Sequence, residues 1–219
     1  MNNDWAGENL QVIRTLMERS ALYRRALAPV MFLLGSFGLL AAAVGSSLHI
    51  TSARSFLSYW LTVSILPVVG SLLLIRQQAL RDSEPFWSPP TRRVVQAMLP
   101  ALSVGLMLGL VLLSLVQRLK VDDGQGSLAN FFVMAWVPSA WMIFYGIAIH
   151  AAGFFMQRGI KLLGWLFILT GGSLFAFHHQ IPAEKLPDYG HAIMGLGFGL
   201  LQLAYGGYLW FTEKRKHAA

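Results

Sequence analysis

Cysteine is missing altogether from this sequence of 219 residues. Disulfides, thiolate metal ligands and cysteine nucleophiles are therefore excluded, and redox chemistry says nothing of the compartment. Charge is scarce as well. Asp, Glu, Lys and Arg make up 12% of the residues, where soluble domains carry about a quarter. None of the four lies deep within an apolar run. An ion-coupled carrier or proton pump needs such a residue as a ligand for its coupling ion, and an acid-pair membrane protease needs two carboxylates. Both classes are disfavoured. No complete catalytic, nucleotide-binding or ion-coupling motif is present. The only Gly-Gly-Ser, at Gly171-Gly172-Ser173, lacks the downstream glycine of a serine elbow.

What the sequence does contain is hydrophobic length. Residues of apolar type make up 55% of the chain, and the mean hydropathy is +0.55. Charge-free runs extend over 26–53, 55–75, 94–117, 124–157, 162–183 and 189–212, holding 28, 21, 24, 34, 22 and 24 residues. A helix needs roughly 20 residues to cross the hydrocarbon core. Each run suits one helix, and none holds two helices and a turn. A barrel would need alternating segments about 10 residues long. The expected fold is all-α: a polytopic membrane helix bundle with six transmembrane helices, over about 26–48, 55–75, 94–116, 131–154, 160–179 and 191–212. A cytoplasmic amphipathic helix over 1–25 precedes the 26–212 bundle, and a basic cytoplasmic tail, 213–219, follows it.

The net charge of +7 is unevenly placed. The side holding both termini and the second and fourth loops carries Arg14, Arg19, Arg24, Arg25, Arg76, Arg81, Arg92, Arg93, Arg158, Lys161, Lys214, Arg215 and Lys216, which is 13 of the 17 basic residues. The positive-inside rule then puts both termini in the cytoplasm. It also absorbs the basic charge, so nucleic acid is not an expected partner. A cleavable signal peptide is the rival reading of the first run, with Ala41-Ala42-Ala43 as its small-residue site; five spans would then remain. About 25 mainly polar residues precede that run, Asp4, Glu8 and Glu18 among them, whereas signal n-regions are short and basic.

On a 100° wheel, Leu10, Val12, Ile13, Leu16, Met17, Ser20, Ala21 and Tyr23 form one arc, interrupted by Arg24. Gln11, Arg14, Thr15, Glu18, Arg19 and Arg25 lie opposite, with Leu22 misplaced. That is an amphipathic helix. Leu10, Ile13 and Met17 on its apolar face meet lipid, the chain's own second loop with Phe86 and Trp87, or a cytoplasmic protein partner, and its arginines suit anionic lipid headgroups. Trp87 is expected at the headgroup level. Pro67, Pro100 and Pro138 fall inside spans 2, 3 and 4 and should kink them.

Small residues recur at packing spacing. Gly105 and Gly109 form one GxxxG, and Gly195 and Gly199 another, with Gly206 near the same stripe. Such residues let helices approach closely in lipid, within the bundle or in a homo-oligomer. Gly146 and Gly153, like Gly164 and Gly171, are seven apart. Gln202 in span 6 reads as an interhelical hydrogen bond. Spans 1–3 and 4–6 show no convincing repeat, which disfavours an inverted-repeat transporter.

Four of the six histidines, His49, His178, His179 and His191, fall at the outer boundary. They read as polar residues at helix ends or as ligands of a transition metal or haem. No cofactor is otherwise expected. His178 and His179 are adjacent, about 100° apart on a helix. His150 has no partner at its depth, so a paired-haem electron carrier does not fit.

Two stretches carry a resemblance. Residues 13–20, IRTLMERS, and 195–206, GLGFGLLQLAYG, resemble the opening segment and last span of a group of small, uncharacterised bacterial six-span inner-membrane proteins. The resemblance implies a multi-pass protein of the bacterial plasma membrane and brings no activity, catalytic residue or cofactor. The expected function is that of a non-enzymatic sensor or accessory subunit acting at its cytoplasmic face. The alternatives are a metal- or haem-binding protein using the outer histidines, and a small transporter or channel without charged coupling residues.

Overall fold

The computed structural model describes residues 27–81, 87–118, 128–156, 158–177, 182 and 185–217. The amphipathic segment with Leu10, Ile13 and Met17 lies outside the described residues, as do Phe86, His178 and His179. Among the described residues there is no strand. Six helices are long and apolar enough to cross a membrane: α1 Leu27–Ser47, α2 Ala53–Arg81, α3 Thr91–Arg118, α4 Leu128–Ala152, α5 Gly159–Phe177 and α6 Leu186–Thr212. The α6 helix runs on to His217. This architecture is compatible with a multi-pass membrane protein. The end where α1 begins and α6 finishes is called the near end below; the other, bearing the 47–53 connection, is the far end.

At the far end, α1 stops in a Schellman motif. The Ile50 N–H bonds the Gly45 carbonyl at 3.4 Å, and the His49 N–H bonds the Ser46 carbonyl at 3.1 Å. This closure needs a left-handed residue, and His49 takes it with φ 51°. Four residues on, α2 starts with two caps. Ser52 accepts from the Ser55 N–H at 3.2 Å. The buried Asn130 of α4 accepts from the Ala53 N–H at 2.6 Å, satisfying a further orphan donor of the first turn.

Three prolines have three outcomes. At Ser64, three residues before Pro67, α2 is interrupted by a turn. Pro100 sits inside an unbroken α3. In α4, Pro138 follows a π-helical stretch, Phe132–Trp136. A proline cannot donate to the carbonyl four residues back and its ring crowds that turn, which a widened turn relieves. A second π stretch, Gly195–Leu201, interrupts α6 without any proline.

Glycine sets the closest crossings. A Cβ on Gly146 would meet the Gly164 carbonyl oxygen at 2.7 Å, and one on Gly164 would meet that of Gly146 at 2.8 Å. The backbones of α4 and α5 therefore touch, as only side-chain-free positions permit. Gly195, Gly199 and Gly206 face Ala42, Leu39 and Met31 of α1. Gly105 and Gly109 face Trp141 of α4, and Gly109 also meets Leu61 of α2. Large apolar side chains that remain exposed are spread over all six helices; lipid is the solvent that tolerates such a surface.

A candidate ligand chamber with a buried glutamine in its wall

A cleft of about 1170 Å³, partly open at the surface, is lined by residues of all six helices, α5 contributing Ile160. It runs along much of the bundle, from Leu27 to Ala41 on α1, Ser58 to Ala79 on α2, Thr91 to Leu113 on α3 and Trp141 to Ala152 on α4. It forms because the near half of α2, Ile65–Arg81, buries no residue against its neighbours. Its volume exceeds the roughly 300–1,000 Å³ of ordinary small-molecule pockets. The wall is mainly leucine, valine, isoleucine, methionine and aromatic rings, with Ser58, Thr62, Ser64, Ser71, Gln78 and Thr91 among its polar members.

The polar exceptions are informative. Gln202 of α6 and Tyr145 of α4 both stand in the wall. Gln202 is 1% exposed. Its Nε2 donates to the Tyr145 hydroxyl at 2.5 Å, while its Oε1 is buried without a partner. Ser71 of α2 also lines the cavity, and its hydroxyl is buried and unpartnered. Turning the amide over would not help, since one of its two ends would still be unpaired. A buried unsatisfied group costs about 1–3 kcal/mol, and several in hydrocarbon. The Tyr145 ring is fixed edge-on by Phe167 and Phe198, with centroids 5.0 and 5.2 Å away.

Towards the far end sits a second buried polar group. His191 falls in the second turn of α6, 1% exposed. Phe56, Tyr59 and Trp60 of α2 surround it at 5.0, 6.0 and 5.8 Å between ring centroids, and Gly45 of α1 closes the fourth side. Trp60 Nε1–H donates to its Nδ1 at 3.2 Å. That leaves the proton of the neutral ring on Nε2, which is buried and unpartnered. Tyr59 ties the cluster to α1 by donating its hydroxyl to the Ala41 carbonyl at 2.6 Å.

The histidines expected at the outer boundary therefore have different roles where they are described. His49 is exposed, terminates α1, and directs Nδ1 at the Ser47 carbonyl at 2.9 Å. His191 packs inside an aromatic cage. Among the described residues no group of three or more His, Asp or Glu could hold a metal ion; His178 and His179 lie outside them. Sequence reasoning singled out Gln202 but missed Tyr145, Trp60 and Ser71. A lone Tyr, Trp or Ser in an apolar run has no pattern that marks it. Its partner becomes visible only when two helices 57 or 131 residues apart are brought together.

Fold and cleft together define the class: the described residues form an all-helical bundle with six helices of membrane-spanning length and a mainly apolar, partly open cleft. No protein-family model, curated protein or solved structure matches the chain.

Proposed function

We propose that this chain is a non-enzymatic multi-pass protein of a bacterial inner membrane, a sensor or accessory subunit whose input is an apolar molecule held in the chamber. The observation that carries this reading is the cleft itself, about 1170 Å³, partly open, and lined mainly by apolar side chains with no charged residue among them. A wall of that chemistry offers no nucleophile or acid–base pair, and burial of apolar surface is what it does well. Both termini lie in the cytoplasm, following the bias of 13 basic residues against four. The amphipathic segment ahead of α1 is the output element, resting on anionic headgroups or on a cytoplasmic partner.

Native mass spectrometry of protein extracted in lipid nanodiscs tests the reading. The expected result is a retained apolar molecule on wild type and reduced retention by Ala101→Phe, which narrows the cleft from α3. Equal lipid retention by the two proteins, with both folded, would overturn it.

A further inference from the structure

We propose that His191 is a proton-sensitive latch: it grips α2 through Trp60 while its ring is neutral, and lets go when the medium at the far end turns acid. The latch acts whether or not the cleft holds a ligand.

One lone pair decides the matter. Nδ1 of His191 accepts the indole N–H of Trp60 at 3.2 Å. An indole only donates, and a protonated imidazole donates at both nitrogens. Proton uptake at Nδ1 therefore sets N–H against N–H and breaks the bond. Nε2 offers no second site, since it carries the proton of the neutral ring. Turning the ring over would set Cδ2–H against the indole and orphan the donor, so the bond fixes the ring's orientation.

The surroundings single out His191 as the group that titrates. Among the described residues, the titratable neighbours of the ring are the Tyr59 phenol of α2 and the Asp188 carboxylate, three residues back on α6. Tyr59 donates to the Ala41 carbonyl at 2.6 Å. On α1, Gly45 faces the ring, while His49 is exposed and turned to the Ser47 carbonyl. The π stretch of α4 that packs on this part of α6, Phe132–Trp136, has no titratable side chain. Between about pH 7.5 and 5 neither a phenol nor a carboxylate changes its charge appreciably, and an imidazole does.

What the latch releases follows from α2. Ala53, Phe56, Leu57 and Trp60 anchor its far half, and no residue of Ile65–Arg81 is buried. Trp60 is thus the last buried residue of the helix. Four residues on, at Ser64, the helix is interrupted, and Pro67 leaves the Val63 carbonyl without its helical N–H. The arm beyond this break lines the cleft from Ile65 to Ala79. Loss of the Trp60 bond loosens the joint from which the arm hangs. The arm then swings about Ser64, changing the width of the cleft and moving Arg76 and Arg81 at the near end.

A chain without cysteine takes two spin labels with no background. Leu80→Cys on the α2 arm and Leu162→Cys on α5 are exposed positions. The full-length labelled protein in phosphatidylcholine nanodiscs is measured by double electron–electron resonance at about pH 7.5 and 5, either side of the ordinary imidazole range. Leu80 stands 16 residues past Ser64, about 24 Å along the helix axis. A swing of about 20°, the size of a modest kink, would displace it by about 8 Å. The protein with native His191 and Trp60 should hold one distance population at the higher pH and gain a second, displaced by about that much, at the lower. His191→Gln keeps an acceptor for the indole and does not titrate, so its distances should be the same at both. Trp60→Phe, which keeps a ring but loses the bond, should show the displaced population at both. Distances that do not respond to acid in the protein with native His191 would overturn the latch, and so would a response that survives in His191→Gln. Where His191→Gln does not fold, Trp60→Phe decides alone: an acid response equal to that of the native pair would refute the latch.

Discussion

Trp60 and His191, 131 residues apart in sequence, share one hydrogen bond of 3.2 Å at the heart of the far-end core. The indole N–H is a donor with no acceptor function of its own, so the imidazole nitrogen is its answer. His191→Ala should therefore remove packing volume and orphan the indole together. The expected loss is about 2–4 kcal/mol, with His191→Gln recovering part of it by restoring an acceptor. Thermal unfolding in detergent, followed by tryptophan fluorescence, checks this. An unchanged midpoint for His191→Ala would mean that the cage does not hold the bundle.

Gly171 and Gly172 are neighbours with opposite surroundings. A Cβ on Gly171 would meet the Ser139 carbonyl oxygen at 2.8 Å, whereas one on Gly172 would meet nothing within 4 Å. Gly171→Val should destabilise the α4–α5 crossing by about 1–3 kcal/mol through overpacking. Gly172→Val should be near neutral, since leaving glycine also removes its helix penalty. Comparing the two unfolding midpoints decides the matter, and equal losses would refute the backbone-to-backbone contact.

Reporter fusions address the orientation. A reporter active only outside the cytoplasm should be silent after residue 219 and active when inserted within 119–127, the connection carrying Asp122 and Asp123. Strong activity after residue 219 would rule out an even number of crossings with a cytoplasmic N-terminus.

The amphipathic segment makes a prediction that does not depend on the chamber. A photo-crosslinker placed at position 13 should give lipid adducts if the headgroup layer covers its apolar face, and a specific protein adduct if a partner does. The arginines at 14, 19 and 25 favour anionic lipid by about 1 kcal/mol each. Adducts with lipid alone would remove the partner from the proposed output.

The helical build was legible because the charges punctuate it. Six charge-free runs, each about the length of a crossing, correspond to six helices. The ends were less legible, because a charge marks where apolar character stops and not where the helix stops. Thus α2 continues through Arg76 to Arg81, and α6 begins at Leu186, ahead of Asp188. His191 illustrates the cost of that difference: placed at a helix start it reads as a boundary residue, yet it lies in the second turn, enclosed. The divergence of His191 from Gln202 was hidden for another reason. Eleven residues apart, they fall within about 20° on an ideal wheel. The π stretch between them adds a residue without the matching advance in rotation. One therefore faces α2 and the other α4. The Gly35 and Gly38 positions of α1, which meet the Gly199 and Phe198 backbone of α6, escaped notice because they stand three apart and form no GxxxG.

The widened turn at Gly195–Leu201 also bears on how this helix tolerates changes in length. A π stretch is a one-residue surplus absorbed locally. Deleting a single residue within 195–201 would let the segment relax to ordinary α geometry, with His191 and Gln202 each kept in its own setting. A deletion in 203–217 would instead turn only the end of α6 by about 100° and leave both buried polar groups where they are. The glycine-rich stretch is therefore where the loss of one residue between these two groups is best absorbed, a slack link in the chain.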